Sequence, residues 1–281
     1  MRTRNLLRWV PGLTPLLQRL EARERENHLL LAECQRLAYE NYRLKSPRRD
    51  RPAPRPDDEP PLPPELLRRW VAGTDDAAWF LASGQRAATM LTALLHRHGI
   101  RLEESTHLLD FGCGCGRVLR HWRHTPAQLH GCDANPLAIE WCADHLPFAR
   151  CTVNALESPL AYDHDSFDVI CAFSVFTHLP QPLQQHWLDE LHRVLKPGGV
   201  LLLSLHGDAL LPELSWAERA DYRAGRLVVR LPGLAGTNHC AAFHPPACVR
   251  AMLTPRFEIL DFLPQGATGN PPQDAWLVRK K

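Results

Sequence analysis

The 281-residue sequence predicts an α/β fold: a doubly wound, mostly parallel sheet of seven strands, with a separate helix ahead of it. Apolar runs alternate with helix-period segments from about residue 107 to residue 205, the pattern of parallel strands joined by crossover helices. Runs such as Val200-Leu201-Leu202-Leu203 show no polar alternation, as strands covered on both faces require. Before them a heptad pattern gives way abruptly to a proline-rich stretch.

The heptad comes first. Leu13, Leu16, Leu20, Arg23, Asn27, Leu30, Cys34, Leu37, Asn41 and Leu44 step alternately by three and four residues, so one stripe runs along a single helix. A seam asparagine costs stability and selects a parallel two-stranded register, so residues 1–45 are expected to form a homodimeric coiled coil. The competing reading is a lone amphipathic helix lying on the rest of the chain, because Arg23, Asn27 and Asn41 weaken the heptads. Residues 46–64 carry prolines at 47, 52, 54, 56, 60, 61, 63 and 64, which exclude helix and inner strand and predict an extended linker. Residues 65–281 are then the main domain.

Charge and composition narrow the function. Residues 1–56 hold thirteen Lys and Arg against six Asp and Glu, a net +7; the whole chain is +2, so the rest carries −5. A mildly acidic domain has no footprint for a phosphate backbone, and nucleic acid is not expected as a partner. Nothing in the sequence is long and apolar enough for a membrane span or a signal peptide. Nine cysteines without a C-x-x-C pair point to reduced thiols and a cytoplasmic protein. Cys113-x-Cys115 with His121 and His124 is spaced too narrowly for a structural zinc site, so no metal is expected.

Within the main domain, helices are expected over 65–71 and 76–98. The strand and helix pairs that follow are 107–111 into 116–124, 128–132 into 136–145, 148–153 into a loop, and 167–173 into 183–195. Strand 200–205 comes next, with late strands near 258–263 and 275–279. The first pair is joined by Leu108-Leu109-Asp110-Phe111-Gly112-Cys113-Gly114-Cys115-Gly116-Arg117, an apolar strand ending in an acid and a turn of three alternating glycines. Glycine there permits positive φ and close approach of a ligand, and a helix start behind it would offer free N–H groups. Arg117 stands where a dinucleotide fold needs a small residue, so an oxidoreductase with a nicotinamide cofactor is disfavoured. Asp133, at the second strand end, is placed to accept ribose hydroxyls, which points to an adenosine without a pyrophosphate.

These residues resemble the class I S-adenosylmethionine-dependent methyltransferases, whose Rossmann-like fold the elements above would build. The resemblance runs from about Pro61 to the C-terminus and rests on Leu109–Gly116, Gly131-Cys132-Asp133-Ala134-Asn135-Pro136, Phe167-Asp168-Val169-Ile170 and Leu195-Lys196-Pro197-Gly198-Gly199. It implies S-adenosylmethionine as cofactor and an antiparallel pair of late strands at the sheet edge. It further implies that Gly112, Cys113 and Gly114 hold the methionine moiety by their backbone, with Asp110 orienting its ammonium and Arg86 pairing its carboxylate. Asp133 and Asn135 would lie at the ribose, Asn154 and Ala155 at the adenine, and Ser174 in the loop beneath the sulfonium.

Methyl transfer from a sulfonium is an SN2 displacement, in which alignment of the nucleophile supplies most of the catalysis and a base is needed only for an acceptor of high pKa. His178 and His206, after the fourth and fifth strands, are the candidate bases, with His239 and His244 in the variable region beyond. The fourth strand ends in Ser174-Val175-Phe176 and lacks the Asn/Asp-Pro-Pro-aromatic signature of amino-group methylases. O-methylation of a small-molecule or glycan acceptor is the leading expectation; protein or carboxylate methylation stays open. The alternative from another class is a non-catalytic cofactor-binding scaffold assembled through its coiled coil.

Overall fold

The computed structural model describes residues 14–45, 59–157, 159–270 and 272–281, and the chain divides into two compact units, Met1–Arg51 and Pro52–Lys281. Leu13 of the heptad and residues 46–58 of the expected linker lie outside the described residues.

The first unit contains one long helix, α1 (Thr14–Lys45). Arg36 bridges Glu33 and Glu40 on its surface. Every described member of the heptad stripe is exposed, from Leu20 at 47% to Leu44 at 82%.

The second unit opens with α2 (Glu65–Ala72) and α3 (Ala77–Arg97), the latter capped by Asp76 accepting from the Trp79 N–H at 3.0 Å. There follow β1 (His107–Phe111), β2 (Gln128–Asp133), α4 (Pro136–His145), β3 (Ala149–Val153), β4 (Phe167–Ala172), α5 (Gln181–Val194) and β5 (Leu195–His206). Asn135 caps α4 through the N–H groups of Leu137 and Ala138, and Pro136 at its first position fits a helix start, where no N–H is needed. The chain ends with α6 (Trp216–Arg223), β6 (Val228–Arg230), β7 (Ala241–Phe243), α7 (Pro246–Leu253), β8 (Phe257–Leu263) and β9 (Gln273–Lys280).

The expected seven strands lie in the order β3-β2-β1-β4-β5-β9-β8, parallel except for β9, which runs antiparallel to both β5 and β8. The inner strands carry the core: Leu109, Ile170, Leu201 and Leu203 are buried against Trp187, Leu188 and Leu191 of α5 and against Trp276 of β9. Two short strands extend the sheet beyond seven. β6 and β7 pair antiparallel, and β7 joins β5 only through His206 and Phe243. Since β9 holds the other side of His206 and β4 stops pairing with β5 at Leu203, β7 sits on the β4 side, past the end of β4. The insert that supplies these strands has a small core of its own, Leu214, Tyr222, Val228 and Phe243.

One expected helix is absent. Between the glycine turn and β2 there is a single 3-10 turn, Leu119–Trp122, instead of a helix over 116–124. The glycines at 112, 114 and 116 all take positive φ, and Gly84 of α3 presses on the Arg117 carbonyl so closely that a Cβ would collide with it. A regular helix has no room to start there.

Candidate cofactor and acceptor site

Ligands of doubly wound sheets lie outside the carboxyl ends of the strands, where the strand order reverses, which here is between β1 and β4. The glycine turn after β1 is held from the protein side. The N–H groups of Gly112 and Cys113 both donate to the Cys132 carbonyl (2.8 and 3.0 Å), and that of Gly114 donates to Asp133 Oδ2 (2.8 Å). With those donors taken and no regular helix behind, the turn is not a phosphate cradle of free N–H groups. What it offers a ligand is backbone without side chains. Gly112 and Gly114, at φ 77° and 53°, occupy a region that costs other residues roughly 1 kcal/mol or more.

Asp133 accepts from Gly114 and, through Oδ1, from the Asn135 N–H at 2.8 Å, so each oxygen keeps a lone pair for another donor. Asn135 spends its own side-chain oxygen on capping α4. Asn154 donates its amide to the Ala155 carbonyl (3.1 Å), while its Oδ1 is buried with no partner. Asp110 is 2% exposed, and its Oδ2 is likewise buried and unpartnered. Burial pushes the Asp110 carboxyl up to about 7, against the opposing pull of Arg117.

Arg117, read from sequence only as an obstacle to dinucleotide binding, is the buried cation beside Asp110. It donates to Ser83 Oγ (3.2 Å), the Gly269 carbonyl (3.4 Å) and Asn270 Oδ1 (2.7 Å), tying the glycine turn to α3 and to the loop before β9. Arg86, by contrast, is exposed and donates to the Thr268 carbonyl at 3.4 Å. Ser174, beyond β4, holds a positive φ of 61° uncommon for a residue with a side chain. Its N–H donates to Ser204 Oγ (2.7 Å), and its hydroxyl is engaged by Gln273 (2.8 Å) and Thr177 (3.0 Å). That network fixes the β4 loop and uses the Ser174 side chain internally.

The structure brings His178 and His206 together, their ring centroids 6.5 Å apart. His178 Nδ1 lies 2.8 Å from the Cys240 carbonyl and His206 Nδ1 lies 3.2 Å from the Ala242 carbonyl. A carbonyl only accepts, so each Nδ1 carries the proton and each Nε2 carries the lone pair. Burial lowers both imidazoles from the usual histidine range, His206 to about 4. Of the other two candidates, His239 is exposed, while His244 adjoins His206, its N–H donating to the His206 carbonyl at 2.8 Å, but is 1% exposed with Nε2 on Gln184 Oε1 at 3.3 Å. The surface clefts lined by His107, His130, Tyr162 and Lys196, and by Gly99, Ser105 and Gly199, open at the amino ends of the strands, away from all of these groups.

Residues 109–203 match the methyltransferase domain family. An uncharacterized methyltransferase of Synechocystis is 32% identical over 136 residues, 46% of this chain and 63% of that protein. A malonyl-[acyl-carrier protein] O-methyltransferase of Pectobacterium atrosepticum is 30% identical over 141 residues, 50% of this chain and 51% of the other. The matched region thus spans between half and two thirds of these relatives. A crystal structure of an S-adenosylmethionine-dependent methyltransferase from Methanosarcina mazei superposes with a TM-score of 0.50 at 24% identity, covering 66% of this chain and 96% of that one, a likeness of fold.

The sheet order and the glycine turn at the carboxyl end of β1 define a doubly wound α/β domain. Residues 109–203 therefore carry a methyltransferase domain, a match that supports a class I S-adenosylmethionine-dependent methyltransferase with S-adenosylmethionine as its cofactor. The residues present fit that molecule: a buried carboxylate oxygen on Asp110 and a buried amide oxygen on Asn154 await donors, and Asp133 retains accepting capacity.

Proposed function

We propose that this chain transfers the methyl group of S-adenosylmethionine to a hydroxyl oxygen of a small-molecule or glycan acceptor, with His178 as the base. The observation behind this reading is the pair of neutral imidazoles past β4 and β5, each with Nδ1–H spent on a carbonyl and Nε2 left basic. A hydroxyl is a poor nucleophile until its proton leaves, and a neutral Nε2 is the group that takes it. Burial and the neighbouring His178 lower His206 to about 4, which makes it a weak acceptor near neutral pH. The cofactor supplies a methyl group already activated by positive sulfur. The chain's own part is to hold the cofactor by Asp110, Gly112, Cys113, Gly114, Asp133, Asn135, Asn154 and Ala155, to fix the loop at Ser174, and to place Nε2 toward the acceptor. The insert bearing α6, β6 and β7 is proposed to shape the acceptor pocket, since β7 supplies the Ala242 carbonyl that sets the His206 tautomer, and the residue before it the Cys240 carbonyl that sets that of His178.

The test is incubation with methyl-labelled cofactor and a panel of phenols, alcohols, glycans, carboxylic acids and amines. Label in an alkali-stable ether is the expected result. Label in a base-labile ester, which the malonyl-carrier relative's name brings to mind, would move the acceptor to a carboxylate. Cofactor binding without label on any acceptor would favour the scaffold reading, for which the exposed leucine stripe of α1 is the supporting feature.

A further inference from the structure

Three thiols that methyl transfer does not use converge beside the glycine turn. Cys113 belongs to the turn, Cys142 to α4 and Cys151 to β3, yet their sulfurs all lie within 4.8 Å of one another. Gly131 of β2 makes the space, because a Cβ there would stand 2.8 Å from Cys113 Sγ and 3.2 Å from Cys151 Sγ. Cys113 and Cys142 are buried and Cys151 is half-buried, so the triangle is closed on the core side and open at one corner. Cys115 and His121, neighbours in sequence, are not members.

We propose that Cys113, Cys142 and Cys151 form a three-thiolate site for a thiophilic d10 metal ion, zinc or monovalent copper. A metal–sulfur bond of about 2.3 Å places three sulfurs roughly 4 Å apart around the ion, so the triangle has to contract by less than about 1 Å. A disulfide needs two sulfurs at about 2.05 Å and would leave the third thiol unused. The all-sulfur donor set rejects hard cations such as magnesium and calcium. Metal binding needs thiolates, so it releases thiol protons. Three sulfurs leave one position of a four-coordinate ion for water or a small ligand.

The experiment uses the reduced full-length chain carrying Cys34→Ser and Cys248→Ser, which removes one exposed and one half-exposed thiol outside the cluster. It is titrated without oxygen with cadmium as a spectroscopic probe and, in separate arms, with zinc and with monovalent copper against a competing chelator. The expected result is one ion per chain, a thiolate-to-metal charge-transfer band in the ultraviolet, and proton release on binding. Cys142→Ser and Cys151→Ser should each weaken binding by more than about tenfold, the scale on which losing a ligand acts. Circular dichroism and binding of S-adenosylhomocysteine show that each variant is folded. Absence of the band at stoichiometric ion in the folded parent, or an undiminished band in both variants, overturns the site. The arm with the tighter constant names the ion.

Discussion

Burial raises the Asp110 carboxyl to about 7, which brings its titration to neutral pH. An ammonium beside its free Oδ2 selects the carboxylate, so cofactor affinity should rise with pH through about 7 and binding below that pH should release a proton. Asp110→Asn should weaken binding and remove this pH dependence; calorimetry finding the same pH profile in the variant would refute the assignment. For the free protein the sign reverses. A carboxyl whose folded value lies above its ordinary 3.8 stabilises the fold at low pH, and that contribution disappears as pH rises through about 7. The same Asn variant should therefore raise the melting temperature of the cofactor-free protein at pH 8, a gain in stability paired with a loss of binding. His178 invites a different measurement. His178→Ala should slow methyl transfer about 100- to 10,000-fold with cofactor affinity intact, and His206→Ala should cost less. Full turnover by His178→Ala would return catalysis to positioning alone.

Helix α1 carries its apolar stripe on the outside, with Leu16, Leu20, Leu30, Leu37 and Leu44 all close to half exposed or more. Burying a leucine is worth about 1.5–3 kcal/mol, so pairing two such stripes is favourable even with Asn27 and Asn41 in the seam. Sedimentation should find a full-length dimer at micromolar concentration and a monomer, still binding cofactor, after deletion of residues 1–45. A full-length monomer would count against the coiled coil. This stripe was legible in sequence because its period is local, and so were β1 and β2, whose apolar runs reach Asp110 with the glycine turn and Asp133, and β4 and β5, whose runs Val169-Ile170-Cys171-Ala172 and Val200-Leu201-Leu202-Leu203 are unbroken. Elements defined by distant partners were not legible. β7 is three residues long and exists through its pairing with β6 and the Tyr222–Phe243 core. Arg117 finds Ser83, Gly269 and Asn270, and Ser174 finds Ser204 and Gln273, from parts of the chain far apart in sequence. Val118, Leu119 and Trp122 carried a helix period that the positive-φ glycines and Gly84 overruled. The thiol triangle is equally non-local, its members supplied by a turn, a helix and a strand.

Across the whole methyltransferase unit, α2 is strapped over the glycine turn at both ends. Ahead of it, Arg120 holds the Pro60 and Pro61 carbonyls and Arg123 pairs with Glu59 at 2.7 Å. Behind it, Asn238 of the insert donates to the Trp70 carbonyl at 2.8 Å. Next to the rear tie, Val71 lies so close to Gly114 that a Cβ there would collide with it. Gly73, at φ 70°, ends the helix. A spent cofactor lodged at that turn would leave only as the strap lifts, and the pace of the catalytic cycle would then be set by the helix rather than by bond making. Because the rear tie comes from the segment proposed to face the acceptor, an occupied acceptor pocket would keep the door shut and an empty one would free it. Asn238→Ala should accordingly speed S-adenosylhomocysteine release several-fold in stopped-flow displacement while leaving single-turnover methyl transfer unchanged. Equal release rates in the parent and the variant would show that the exit does not pass beneath α2.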